Sequence, residues 1–298
     1  MNSLERLFQR IYYVLFIRRK KRTFSEEPTK PMDAIALARA LAGEGRRHVS
    51  VGCSSTEDVD NECNFNAIYA LVGNSDGLNV LPDFALVGVA GETGDDKGKN
   101  NVSRIALSTF SSQIIKDAIL DLLAVEVSEV SAPLQNAVVD SFKEAYQVAE
   151  RHAPDASVSM TAGLMFAEII IFGHFGETRA YIIDRHHIEK VTTDGWEPLN
   201  TSDGTQDSDN GNYSGLAEGD EFPVVIHSRP VPRDGYILFC TKGLWESLSD
   251  QTIQEIVNKG GNPQYRCEAL VDQVRVSDPD CIASVILMYF PPDFGPWR

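Results

Sequence analysis

Two long helical patterns stand next to each other in a chain otherwise written in strands. Residues 103–125 and 132–152 both carry helical periodicity, and in the first Ile105, Leu107, Phe110, Ile114, Ile115, Ile119, Leu122 and Leu123 form one apolar stripe. Before them 49–53, 64–72 and 84–90 read as strands; after them so do 157–160, 164–173, 178–184, 187–192, 236–240 and 282–290. Shorter helices are expected at 34–41, at 249–258 with Ser249 as N-cap, and at 266–274. Residues 195–221 are polar and glycine-rich and read as an exposed loop. Strands in runs, interrupted by paired helices, do not make the alternating pattern of a parallel sheet. The order predicts an α+β fold of two antiparallel sheets with helices packed outside.

The chain is long enough, at 298 residues with 43% hydrophobic and 23% charged, for one large domain or two small ones. A formal net charge of -16 argues against nucleic acid as a partner of the body. The charge is uneven: residues 1–22 hold seven basic residues against Glu5 alone, so the remainder carries about -22. Five cysteines, an odd count without paired spacing, and no visible secretory signal fit a reduced, cytoplasmic chain. No CxxC or HExxH pattern occurs, and the six histidines do not cluster as metal ligands.

Residues 1–22 read as an amphipathic helix with a polybasic end: Leu4, Leu7, Phe8, Ile11 and Leu15 recur at helical spacing, and Arg18 to Arg22 follow. Its continuous apolar run, 11–17, is far short of the roughly 20 residues that span a bilayer. A signal peptide puts its charge first, the reverse of this order. Two placements stay open: residues 4–22 lying on an anionic membrane surface, or the helix docked on the acidic body or on a partner. Residues 23–33, with two prolines and mixed charge, form a linker, and 34–298 one domain.

Within that domain four segments, in order, carry a resemblance. They are Asp60-Asn61-Glu62-Cys63, then Val89-Ala90-Gly91-Glu92-Thr93-Gly94, then residues 159–181 ending in Gly-Glu-Thr-Arg-Ala-Tyr, and then Leu238 to Glu246 with Thr-Lys-Gly-Leu-Trp-Glu. A fifth, Asp280-Cys281-Ile282-Ala283, precedes the last strand. Their order and separations resemble the PP2C (PPM-type) metal-dependent serine/threonine phosphatases over roughly residues 45–290. The resemblance implies a PP2C-like αββα sandwich with its site at one end of the two sheets. In that family two Mg²⁺ or Mn²⁺ ions bridge a hydroxide that attacks phosphorus, held by short-stemmed carboxylates.

Set against that pattern, this chain looks degenerate. Gly91 stands at the bridging aspartate and supplies no ligand. Cys63 replaces the aspartate after Glu62, and a thiol suits softer metals than magnesium. Lys242 reverses the charge at the Asp-Gly pair, and Asp58 stands where a phosphate-binding arginine is expected. Cys281 and Ala283 replace Asn and Thr, while Glu62, Gly94, Gly243 and Asp280 remain. Glu92, next to Gly91 on a strand end, points to the other face. The Lys242 ammonium is expected to offset Glu62 and Asp280 in place of a cation. Cys63 and Cys281 read as small packing residues, Trp245 as a core anchor, and Arg179 as half of a structural ion pair.

These substitutions favour a pseudophosphatase with no metal cofactor and no catalytic residues, working by binding a protein partner such as a kinase or a phosphoprotein. Its placement is cytoplasmic, at a membrane surface if residues 4–22 bind lipid. The alternative is an active serine/threonine phosphatase with a displaced Mg²⁺ or Mn²⁺ site built from Glu62, Glu92, Asp95, Asp96 and Asp280.

Overall fold

The computed structural model describes residues 49–56, 66–73, 84–93, 101–119, 131–153, 157–194, 205–207, 212–216, 224–292 and 294. All belong to the compact unit Arg46–Arg298. The segments 1–22 and 23–33, the helix expected at 34–41, and Asp58, Glu62, Cys63, Asp95 and Asp96 lie outside the described residues.

The strands are β1 (Ser50–Ser55), β2 (Asn66–Gly73), β3 (Phe84–Thr93), β4 (Ser157–Phe166), β5 (Ile169–Phe175), β6 (Arg179–Ile183), β7 (Ile188–Lys190), β8 (Thr205–Asp207), β9 (Asn212–Leu216), β10 (Val225–Pro230), β11 (Gly235–Cys240) and β12 (Ser284–Phe290). The helices are α1 (Val102–Ile114), which runs on into a π-helical turn Ile115–Ile119, α2 (Ser131–His152), α3 (Lys242–Ser247), α4 (Asp250–Asn258) and α5 (Pro263–Ser277). One sheet has the order β1-β12-β11-β6-β7 and the other β2-β3-β4-β5-β10-β9-β8. Every pairing is antiparallel.

Side-chain alternation along the strands builds three apolar layers. On β3, Leu86 and Ala90 face outward and pack with Val102, Leu107 and Phe110 of α1 and Phe142 of α2. Ala85, Val87 and Val89 face inward and meet Phe172, Phe239, Ile286 and Met288 between the sheets. The Phe172 and Phe239 rings, one from each sheet, lie 5.6 Å apart. On the far side, Leu238 and Leu287 pack with Ile253 of α4 and Leu270 and Val274 of α5. Burying one such side chain contributes about 2 kcal/mol, so this central seam joins the two sheets firmly. The result is the expected αββα sandwich.

Local chemistry sets the helix starts. The Ser249 hydroxyl accepts from the N–H of Thr252 at 3.2 Å, as an N-cap should. Helix α5 begins with Asn262 capping Gln264 and Pro263 in the first turn. That first turn lies against β1 so closely that a Cβ on Gly52 would sit 2.3 Å from the backbone nitrogen of Gln264. The Gln264 side chain bonds the β1 backbone twice: its Oε1 accepts from the N–H of Cys53 at 3.1 Å and its Nε2 donates to the Cys53 carbonyl at 2.9 Å.

Several elements depart from the sequence expectation. Strand β3 continues three residues past 90, so Gly91 and Glu92 are strand residues and not part of a turn. Residues 157–173 were expected to break near 161–163, yet β4 runs unbroken to Phe166. The hairpin turns at Ala167-Glu168, with Ala167 at φ 54. Alanine in this left-handed region costs roughly 1 kcal/mol, and no glycine marks the turn. Two short strands, β8 and β9, occur inside the expected loop 195–221 and pair toward β10. Strand β10 and helix α3 had no counterpart in the sequence reading, and α5 extends beyond 266–274 at both ends.

Candidate functional site

Strand β3 places Gly91 and Glu92 on opposite faces of the sheet. Glu92 looks outward at α1 and is 7% exposed. Its Oε1 accepts from the backbone N–H of Ser103 at 3.0 Å and from the Ser103 hydroxyl at 3.2 Å. A carboxylate there satisfies an orphan donor of the first helical turn and complements the helix dipole. Asn101, at φ 51, occupies the cap position without a side-chain bond, so Glu92 supplies the acceptor that it does not.

Gly91 faces inward, between Asn66 on β2 and Ser159 on β4. A Cβ at Gly91 would come within 2.9 Å of Asn66 Oδ1 and 3.6 Å of Thr241 Cγ2. The direction an aspartate would take is therefore filled by the Asn66 amide. Asn66 Nδ2 donates across the seam to Thr241 Oγ1 at 3.3 Å and to the Ile282 carbonyl at 3.4 Å. Thr241 Oγ1 also accepts from the N–H of Ser284 at 2.9 Å. Nearby, the Ser55 and Ser284 hydroxyls meet at 2.7 Å, and Thr56 Oγ1 accepts from the N–H of Ala283 at 2.9 Å. The neutral Asn66 amide thus joins the two sheets at this end, and the hydroxyls of Thr241, Ser55 and Thr56 tie together the sheet it reaches.

Lys242 opens α3 and turns to the β5–β6 connection. Its Nζ lies 2.8 and 2.9 Å from the two carboxylate oxygens of Glu177 and 3.5 Å from Glu246 Oε1. The bond to Glu177 holds the ammonium above the usual lysine range. Trp245, one helical turn on, donates its indole N–H to the Glu177 carbonyl at 2.9 Å. Arg179 stacks over the Trp245 ring at 3.6 Å and forks onto Asp194 at 2.8 and 2.6 Å, as its expected ion pair requires.

The expected partners of Lys242 were Glu62 and Asp280. Glu62 lies outside the described residues; among those described the partners are Glu177 and Glu246, not Asp280. Asp280 is exposed in the turn between α5 and β12, where its N–H donates to the Asp278 carboxylate at 3.3 Å. The Cys281 thiol donates to the Gly243 carbonyl at 3.4 Å, and burial pushes its pKa up, so it stays a thiol. Among the described residues no group of three or more His, Cys, Asp or Glu side chains is placed to hold a metal ion. The described positions do not fit a carboxylate-held pair of hard divalent ions: Gly91 has no side-chain oxygen to offer, Asn66 fills the space a side chain would take, and Lys242 brings a positive charge.

Asn66 and Glu177 were missed as site residues. Nothing in the sequence says that Asn66 lies opposite Gly91, because that depends on strand register. Glu177 was legible: it is the acid of the Gly-Glu-Thr-Arg-Ala-Tyr segment that carries the resemblance, and a lysine where an acid is expected hints at a pair.

No family model and no curated protein sequence matches the chain. Solved structures do. The Mycobacterium tuberculosis serine/threonine phosphatase PstP/Ppp matches with a TM-score of 0.56 at 12% identity, over 82% of this chain and 99% of that one. The catalytic domain of PstP in complex with two manganese ions matches with a TM-score of 0.55 at 15% identity, over 81% and 97%. The PPM Ser-Thr phosphatase MsPP from Mycobacterium smegmatis, in complex with cacodylate, matches with a TM-score of 0.54 at 16% identity, over 81% and 98%. With its two antiparallel sheets and outer helices, the chain has the fold of the PP2C (PPM-type) serine/threonine phosphatases.

Proposed function

We propose that this PP2C-fold protein has given up metal-dependent phosphatase chemistry and acts as a regulatory pseudophosphatase, by binding a protein partner such as a kinase or a phosphoprotein. The Lys242–Glu177 pair carries the reading. Acids at both positions would face each other at ion-pair distance and would need a cation between them. Here the ammonium is part of the chain, and a metal would have to displace it. The Asn66 bridge supports the same reading, since it joins the sheets at Gly91 without any ion. The alternative, a displaced site that includes Glu92, requires that carboxylate to leave the first turn of α1.

The test is calorimetric titration of the full chain with Mn²⁺, together with turnover of a phosphopeptide at saturating metal. No binding heat, no metal-dependent rise in melting temperature and no turnover are expected, because a ligand of the native state must stabilise it. Lys242→Asp alone should still give no turnover. Turnover by the wild-type chain that is lost on Asp280→Ala would overturn the proposal.

We further propose that residues 4–22 bring the protein to an anionic membrane surface from the cytoplasm. The apolar spacing followed by five consecutive basic residues supports this. No helix among the described residues is long and apolar enough to cross a membrane. Co-sedimentation with phosphatidylserine vesicles should be lost when residues 1–22 are removed; equal binding by the shortened chain would reject the placement.

A further inference from the structure

Two histidines lie in the seam between the sheets, on strands two and three places across from β3. His174 on β5 and His227 on β10 are 0% and 3% exposed. Val225 is the register partner of His174, and His227 is two residues along the same strand, so both rings face inward on neighbouring strands. The bonds of His174 fix its tautomer. Its Nε2 is 2.9 Å from the Thr193 carbonyl, which can only accept, so Nε2 carries the proton. Nδ1 then accepts from the Thr161 hydroxyl at 2.8 Å, and Thr161 accepts from Thr178 at 2.7 Å. The neutral ring is fully satisfied. A second proton on Nδ1 would reverse the hydroxyl relay and take from Thr178 its present acceptor. Among the described residues His227 has no hydrogen-bond partner at either ring nitrogen. Such a ring is tolerated between the sheets only while it is uncharged.

We propose that His174 and His227 form an acid-sensitive clasp, which holds strand β10 and residues 191–194 onto β5 and opens when the rings take up protons. His174 makes the bond to residues 191–194 directly, through Thr193. His227 sits on β10 itself, which pairs with β5 over Val225 to Pro230. Among the described residues the charged groups facing the pair are few. Asp194 favours a charged His174 and Lys190 opposes it; Arg229 opposes a charged His227, as each histidine opposes the other. Arg179, on β6, is engaged by Asp194, and Arg229 lies 3.7 Å from Glu189 of β7. The segment of β9 opposite His227 carries no charged residue. Burial outweighs these charges and lowers both rings to about 4 from the usual 6.5.

The sign follows from the lowered pKa. The clasp is at full strength above pH 6.5 and weakens as pH falls toward 4. At pH 5, each ring that charges on opening favours the open form by about 30-fold relative to pH 7.5. Hydrogen exchange of the full chain at the two pH values, corrected for intrinsic rates, reads this directly. Wild type should lose protection first in β10 and residues 191–194. His227→Leu should fold and show a shallower pH dependence in those peptides, and His174→Gln likewise. If exchange rises evenly over the fold, or if His227→Leu matches wild type at both pH values, the clasp is overturned. His227→Leu decides the matter alone if His174→Gln does not fold.

Discussion

The Gly91 position and the Lys242 position both lack the acid that the PP2C pattern puts there, but they are filled in opposite ways. At Gly91 the side chain is deleted, and a neutral neighbour, Asn66, grows into the space and bonds across the seam to Thr241 and Ile282. At Lys242 the charge is inverted, and the ammonium pairs with Glu177 at the half-exposed rim. Depth accounts for the difference. A buried position is best refilled with groups that satisfy one another without net charge, whereas a rim position tolerates a solvated ion pair. One molecule thus holds two physical solutions, a neutral bridge at depth and a solvated ion pair at the rim.

The largest effect should come from putting the acid back at the buried position. Gly91→Asp forces a Cβ to within 2.9 Å of Asn66 Oδ1 and buries a carboxylate beside it. Urea unfolding should show a loss of about 3 kcal/mol. A neutral effect, or rescue by Mn²⁺, would break the contrast between the two positions. Removing the neutral bridge is milder: Asn66→Ala loses the cross-sheet donors and leaves a small hollow, at a cost of about 2 kcal/mol. A loss as small as that expected at the rim would show that Asn66 fills space without joining the sheets.

The rim pair should matter least. Lys242→Met removes an ion pair whose lysine side chain is 38% exposed, so solvent screening leaves about 0.5 kcal/mol at stake. The loss should shrink further in high salt. Its pH sign is also fixed: the lysine pKa is raised on folding, so the contribution is complete below the ordinary lysine value and is lost only as pH climbs through the folded one. A difference between Lys242→Met and wild type that changes between pH 6 and 9 would therefore point to another titrating group.

Much of the fold was legible because periodicity reports burial. The paired helices, the strand runs and the Ser249 cap all follow from residue patterns one or two turns long. The errors have a common cause, which is that the deciding contact lies far away in sequence. Ala167 turns a hairpin with no glycine or proline to announce it, because β4 and β5 hold it there through their ladder. Strands β8 and β9 are too short and polar to show alternation, and they exist by pairing toward β10. The same holds at the site. The departures from the resembled pattern at Gly91 and Lys242 were visible as single letters. The outward aim of Glu92 followed from strand alternation, but its bond to Ser103, and the partnership of Asn66 with Thr241, needed the register and the third dimension.

The double bond of Gln264 to Cys53 has a consequence of its own. Among the described residues β1 is an outer strand of its sheet, and an outer strand offers a row of backbone groups on which another chain can template itself. The Gln264 amide presents one acceptor and one donor to the Cys53 N–H and carbonyl, the two groups an incoming strand would use first. A side chain thereby imitates one rung of a missing neighbour, and the first turn of α5 lies over Gly52 beside it. At this rung the border is already occupied, so an incoming strand would have to displace a side chain of the same molecule before it could pair there.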